Sequence, residues 1–156
     1  QSGCFCYRQG REGERVKAFK IDVIKKDVYE VELPIDIDDT DMSQLFAIYK
    51  LLECDAIDAV RLEGDGPTFG ESDFIYVDET ALLKPARIGA FHIRGALTNG
   101  AILGHGLVMS VDSEGREIPP KITLKELKKR VLFLNTNDPD TINTMTGTFG
   151  AGKAKE

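Results

Sequence analysis

Tryptophan is absent from this 156-residue chain, and cysteine and histidine are scarce. Cys4, Cys6 and Cys54 are an odd number, and the first two lie too close together to close a useful loop. No disulfide framework is therefore predicted, and a reducing cytoplasm fits best. Long apolar runs are also missing. Leu132-Phe133-Leu134 is representative, far short of the roughly 20 apolar residues a membrane-spanning helix needs, so no membrane association is expected. Gln1 to Gly10 lacks the apolar centre of a secretory signal. His92 and His105 fall in separate apparent strands and do not give Cys4 and Cys6 the partner pair that a zinc site requires, so neither a metal nor a cofactor is expected.

What the chain does have is charge, unevenly laid out. Between Asp27 and Glu79, 16 acidic residues face only Lys50 and Arg61, a net of −14, whereas residues 1–26 sum to +4, 80–137 to +5 and 138–156 to −1. At 42% hydrophobic, the chain can bury one core but is short for two ordinary domains. The predicted organisation is a basic lead (1–16), a single α+β domain (17–137) and a polar, Gly-rich tail (138–156).

Hydrophobic period supplies the elements. From Val16 to Ile24, Phe19, Ile21 and Val23 alternate with Lys20 and Asp22, the pattern of a half-buried strand. A turn at Lys25-Lys26-Asp27 leads into a second strand, Val28 to Leu33, closed by Pro34. Leu45, Ile48, Tyr49 and Leu52 follow helical spacing, with Asp39, Thr40 or Asp41 as the expected cap. Strands are expected again over Cys54 to Leu62, Asp73 to Asp78, Arg87 to Ile93 and Ala101 to Val111. Leu82-Leu83 forms a short apolar return. Thr123 and Glu126 form a capping-box pattern for a helix from Leu124 to Arg130, before a last strand, Val131 to Leu134. The predicted fold class is α+β, with a mostly antiparallel sheet and two helices.

Several motifs resemble functional ones and are better explained by structure. Asp36 to Asp41 presents carboxylates at alternate positions, but a calcium loop opening at Asp36 would need Gly at its sixth position and Glu at its twelfth. The chain has Asp41 and Ala47 there, so helix capping is the stronger reading. Gly147 to Lys153 has phosphate-loop spacing without the following Ser or Thr, and too little chain follows for the helix that receives phosphate. Cys4 and Cys6 fall in the lead, Cys54 ends an apolar helix and no serine sits in a nucleophile elbow, so no catalytic residue is assigned and the chain is read as a non-enzyme. His92, between Phe91 and Ile93, reads as a structural histidine. Gly104-His105-Gly106 runs on into a strand, so its glycines are expected to serve a bulge or close strand packing. His105 between them is taken as sterically accessible and as the first ligand contact.

The order Ile57-Asp58-Ala59-Val60-Arg61-Leu62, Ile75-Tyr76-Val77-Asp78-Glu79, Leu82-Leu83, Gly104-His105-Gly106-Leu107-Val108-Met109 and Val111-Asp112-Ser113-Glu114-Gly115 resembles a family of small phage and mobile-element proteins, domain of unknown function 3846, over about residues 19–134. His105 stands where Asn is expected. The resemblance implies a mobile-element accessory protein in bacterial cytoplasm and transfers no catalytic residue. The expected function is binding. An acidic face made of Asp36, Asp38, Asp39, Asp55, Asp58, Glu63 and Asp65 would meet a basic host protein or the basic side of another copy, giving a homo-oligomer. The alternative is a small-ligand binder, a trap for a nucleotide-like signal held by Arg61, Arg94, Asn99, Gly104, His105 and Gly106. Nucleic-acid binding is a lower expectation, because Lys125, Lys128, Lys129 and Arg130 read as a solvated helix face.

Overall fold

In chain order the elements are β1 (Arg15–Asp22), β2 (Asp27–Pro34), α1 (Ser43–Leu52), β3 (Ile57–Arg61), β4 (Phe74–Asp78), β5 (Ala90–Ile93), β6 (Ile102–Leu103), β7 (Gly106–Val111), β8 (Glu117–Ile118), α2 (Leu124–Arg130) and β9 (Val131–Phe133). The computed structural model describes residues 14–62, 73–81, 89–94 and 101–134. The main sheet has the order β2-β1-β7-β4-β3, with β8 added to β7, and a smaller sheet has the order β6-β5-β9. Every pairing is antiparallel, so the architecture is the α+β class that the alternation predicts.

Both faces of the main sheet are covered. On one face, Val16, Ala18, Leu33, Phe74, Leu107 and Met109 pack with Ile48 and Leu52 of α1. On the other, Phe19, Ile21, Ile75, Val77 and Val108 pack with Phe91 and Ile93 of the small sheet and with Leu127 of α2. The half-buried reading of β1 is therefore corrected: from Ala18 onward every residue of β1 is buried, Lys20 and Asp22 included. The cause lies in layering, since a strand sandwiched between two layers has no solvent face whatever its alternation.

The stretch from Ala101 to Val111 is two strands in two sheets, not one. Gly104 adopts φ +84, a backbone conformation open to Gly at little cost, and its amide donates to Gly89 O at 2.8 Å. That kink hands the chain from the small sheet to the centre of the main one. Gly106 then enables close packing: a Cβ there would lie 2.5 Å from Ile75 Cδ1 and 2.8 Å from Phe91 Cζ. Its bare backbone lets the Phe91 ring close onto the sheet.

Helix α1 has only ten residues, too few to be stable alone, and is held by its buried side chains Ile48 and Leu52. Each contributes roughly 1.5–3 kcal/mol by leaving water. Its first amides are capped by two aspartates outside the helix. Asp41 accepts from the Ser43 amide at 3.0 Å, and Asp36 accepts from the Gln44 amide at 2.9 Å. The expectation of Asp39, Thr40 or Asp41 as the N-cap is corrected: the N-cap is Met42, which makes no side-chain bond, Asp41 acts from the residue before it, and Thr40 donates to Asp38 instead. Helix α2 starts as predicted, with the Glu126 amide donating to Thr123 Oγ1 at 3.1 Å.

Candidate interaction site

The β1–β2 hairpin has two dissimilar ends. At one, where Arg15 pairs with Pro34, the chain leaves β2 for α1 through residues 35–42 and forms a surface depression of about 420 Å³. Pro34, Ile35 and Ile37 give it apolar walls. Glu14, Asp38 and Asp41 supply carboxylates, and Arg15, Thr40 and Ser43 complete the lining. Ile37, Met42 and, one helical turn on, Phe46 are exposed, Phe46 at 61%. Exposed apolar side chains beside an acidic rim are what an interaction surface presents, because the apolar groups supply burial and the charges supply orientation.

Hydrogen bonds fix this rim. The Ile37 amide donates to Asp41 Oδ2 at 2.9 Å, the Thr40 amide and hydroxyl both donate to Asp38 Oδ1, and the Asp41 amide donates to Asp38 O at 3.1 Å. The Thr40 hydroxyl holds the Asp38 carboxyl below its ordinary pKa, and the Ser43 hydroxyl does the same for Asp41. Both stay ionised well into the acid range, so the rim keeps its charge.

At the opposite end lies a buried polar cluster. His105 is 1% exposed, with Nδ1 accepting from the Val23 amide at 3.2 Å and Nε2 lying 3.3 Å from Glu53 Oε2. Acceptance at Nδ1 places the proton on Nε2, directed at Glu53, the left-handed C-cap of α1. Burial, and then the nearby Lys20 ammonium, hold the imidazole below its ordinary pKa against the opposing pull of Asp22 and Glu53. Asp22 accepts from the Ile24 and Lys25 amides, each at 3.0 Å, and from the Tyr29 hydroxyl at 2.7 Å, with Lys20 Nζ at 3.8 Å. Burial works to raise its pKa, but those donors, together with His105 and Lys20, hold it below the ordinary value. Burial, and then the bond to Asp22, push Tyr29 up to about 12. The whole cluster braces the Val23 to Lys26 turn, whose Ile24 is 60% exposed.

The residues named for a small ligand are dispersed. Arg61 ends β3 opposite Phe74, at the far side of the main sheet from β1. Arg94 follows β5, while Gly104 contacts Gly89 at the other end of that strand. The Arg94 guanidinium donates to Lys129 O and its amide to Arg130 O at 2.9 Å, tying β5 to the end of α2. His105 is not the accessible contact its flanking glycines suggest, because both ring nitrogens are engaged inside the protein. Asn99 lies outside the described residues.

The acidic set divides. Asp38 lines the depression, Asp36 caps α1 and exposed Asp39 follows Asp38 in the same 35–42 segment, whereas exposed Asp55 and Asp58 lie after α1 and on edge strand β3. Glu63 and Asp65 lie outside the described residues. Sequence reasoning did not single out Ile24, Ile37, Met42 or Phe46, nor the cluster of Lys20, Asp22 and Tyr29. A signal existed for the cluster: β7 is apolar at successive positions from Leu107 to Met109, the mark of a strand covered on both faces, which implies cover for its neighbour β1. His92 is half-buried opposite Leu132, a structural position. Among the described residues, no group of three or more His, Cys, Asp or Glu side chains could hold a metal ion, and no helix is long and apolar enough to cross a membrane. In comparison with known proteins, no family model, no curated protein and no solved structure matches this chain.

Proposed function

We propose that this protein is a protein-binding module whose recognition surface is the depression at the head of α1. The observation that carries the reading is the coincidence of exposed Ile37, Met42 and Phe46 with the acidic rim of Glu14, Asp38 and Asp41, next to which Asp39 is also exposed. The rim steers a basic partner, and the apolar side chains hold it once docked. The resemblance to the mobile-element family sets this module, in our proposal, in bacterial cytoplasm as an accessory protein without catalysis.

A synthetic amphipathic peptide of alternating Lys and Leu, titrated into isotopically labelled protein, tests the reading by amide shift mapping. The expected shifts lie within residues 35–46, and raising salt weakens binding because the attraction is screened beyond about 10 Å at 0.1 M ionic strength. Shifts confined to β3, or spread evenly over the molecule, would reject this surface.

A further inference from the structure

We infer that the depression at the head of α1 receives the basic Val23 to Lys26 turn of a second copy of this chain, so that copies associate head to tail. The inference rests on the binding reading above and names its partner.

The two surfaces occupy opposite ends of one hairpin. Eight paired residues separate them, about 25 Å at the usual strand rise, too far for one copy's turn to reach its own depression. At the turn, Ile24 is 60% exposed and Lys25 and Lys26 are exposed beside it. The nearest carboxylates are already matched, Asp22 by Lys20 at 3.8 Å and Asp27 by Lys128 at 3.8 Å. Glu53 at this end is directed at His105. The turn therefore offers an exposed apolar residue followed by two exposed cations, and the depression offers apolar walls beside carboxylates, with Arg15 as the cation in its lining.

The turn is also held in shape before any contact. Asp22 Oδ1 accepts two successive turn amides, Lys26 sits at φ 55, and Lys25 Nζ lies 5.2 Å from the centre of the Tyr29 ring. A projection fixed in this way loses little conformational freedom on docking. An interface joining different patches on the two copies does not close by two-fold symmetry, and it leaves one free turn and one free depression on every assembly that has not closed into a ring.

Sedimentation velocity on the full chain across a concentration series tests this. The wild type is expected to grow beyond the dimer as concentration rises, and association should weaken roughly tenfold between about 0.05 and 0.5 M salt. Lys25→Glu/Lys26→Glu disables the turn, and Asp38→Lys/Asp39→Lys disables the depression. Each variant should be monomeric alone. Mixed in equal amounts they should form a 1:1 dimer that grows no further, because each variant keeps one working surface. Ile24→Asp, which leaves every hydrogen bond of the turn in place, should also give a monomer. A wild type that stays monomeric, single variants that associate like the wild type, or a mixture that remains monomeric would each overturn the proposal. If these fail while the Lys-Leu peptide still maps to residues 35–46, self-association falls and the binding surface stands. If both fail, the binding reading falls as well.

Discussion

His105 joins three parts of the molecule, the β1–β2 turn, the end of α1 and the start of β7. Its Nδ1 is the acceptor for the buried Val23 amide, so His105→Ala leaves that donor unsatisfied and opens a cavity. The expected loss is about 2–4 kcal/mol, read by chemical denaturation. The same side chain gives stability a pH dependence. Because its folded pKa lies below the ordinary value, the unfolded chain takes up the proton first as pH falls. Its contribution is complete above pH about 6.5 and is lost as pH drops from there towards the folded pKa. Denaturation midpoints of the wild type should decline across that window, and the decline should be much smaller in His105→Ala. Gly106 is the second demanding position. Gly106→Ala forces Ile75 and Phe91 apart and should cost about 1–3 kcal/mol, with Ile75→Val in the same chain restoring part of the loss in thermal melts.

At the scale of elements, the two helices test two kinds of cap. Thr123→Ala should destabilise by about 1 kcal/mol, the usual worth of a side-chain N-cap. Asp36→Ala removes a cap that also ties the end of β2 to α1, so it should lower stability by a similar amount and broaden the amide signals of Ile37 to Gln44. The difference between these caps also marks how far the sequence could be read. Thr123 and Glu126 lie within one turn of each other and announce α2 locally. Asp36 reaches Gln44 across eight positions, and no local pattern distinguishes it from neighbouring aspartates. The strands follow the same division. β1, β2 and β4 were legible from alternation and turn residues. The break between β6 and β7 was not, because Gly104 and His105 look the same in a bulged strand as in a crossing between sheets. Short β8 carries no signal of its own and exists because β7 offers it Ser110 and Val111 as partners.

At the scale of the molecule, the charge asymmetry of the sequence becomes a polarity along one hairpin. The carboxylates at the α1 head, the lysines at the turn and the buried cluster that stiffens it are three consequences of where β1 lies, paired to β2 along one edge and to the central strand β7 along the other. The candidate site was therefore legible in its sign and not in its shape. Asp38 and Asp39 could be picked out as charge. The apolar depression that Asp38 borders required Glu14 and Arg15 to meet residues 34–43, a contact fixed by the hairpin register.

The place of β7 has a consequence for how this chain is made. Phe19, Lys20 and Ile21 pair with Val108, Leu107 and Gly106, so the inner edge of β1 waits for residues synthesised more than eighty positions later. At a ribosomal pace of roughly 5–20 residues per second, the opening hairpin spends several seconds with that edge open and Lys20 without its final surroundings. The central strand of the sheet is thus made after the strands on both of its sides, with only short β8 still to be added, and the nascent chain is most exposed to mispairing just before Gly104 and His105 emerge.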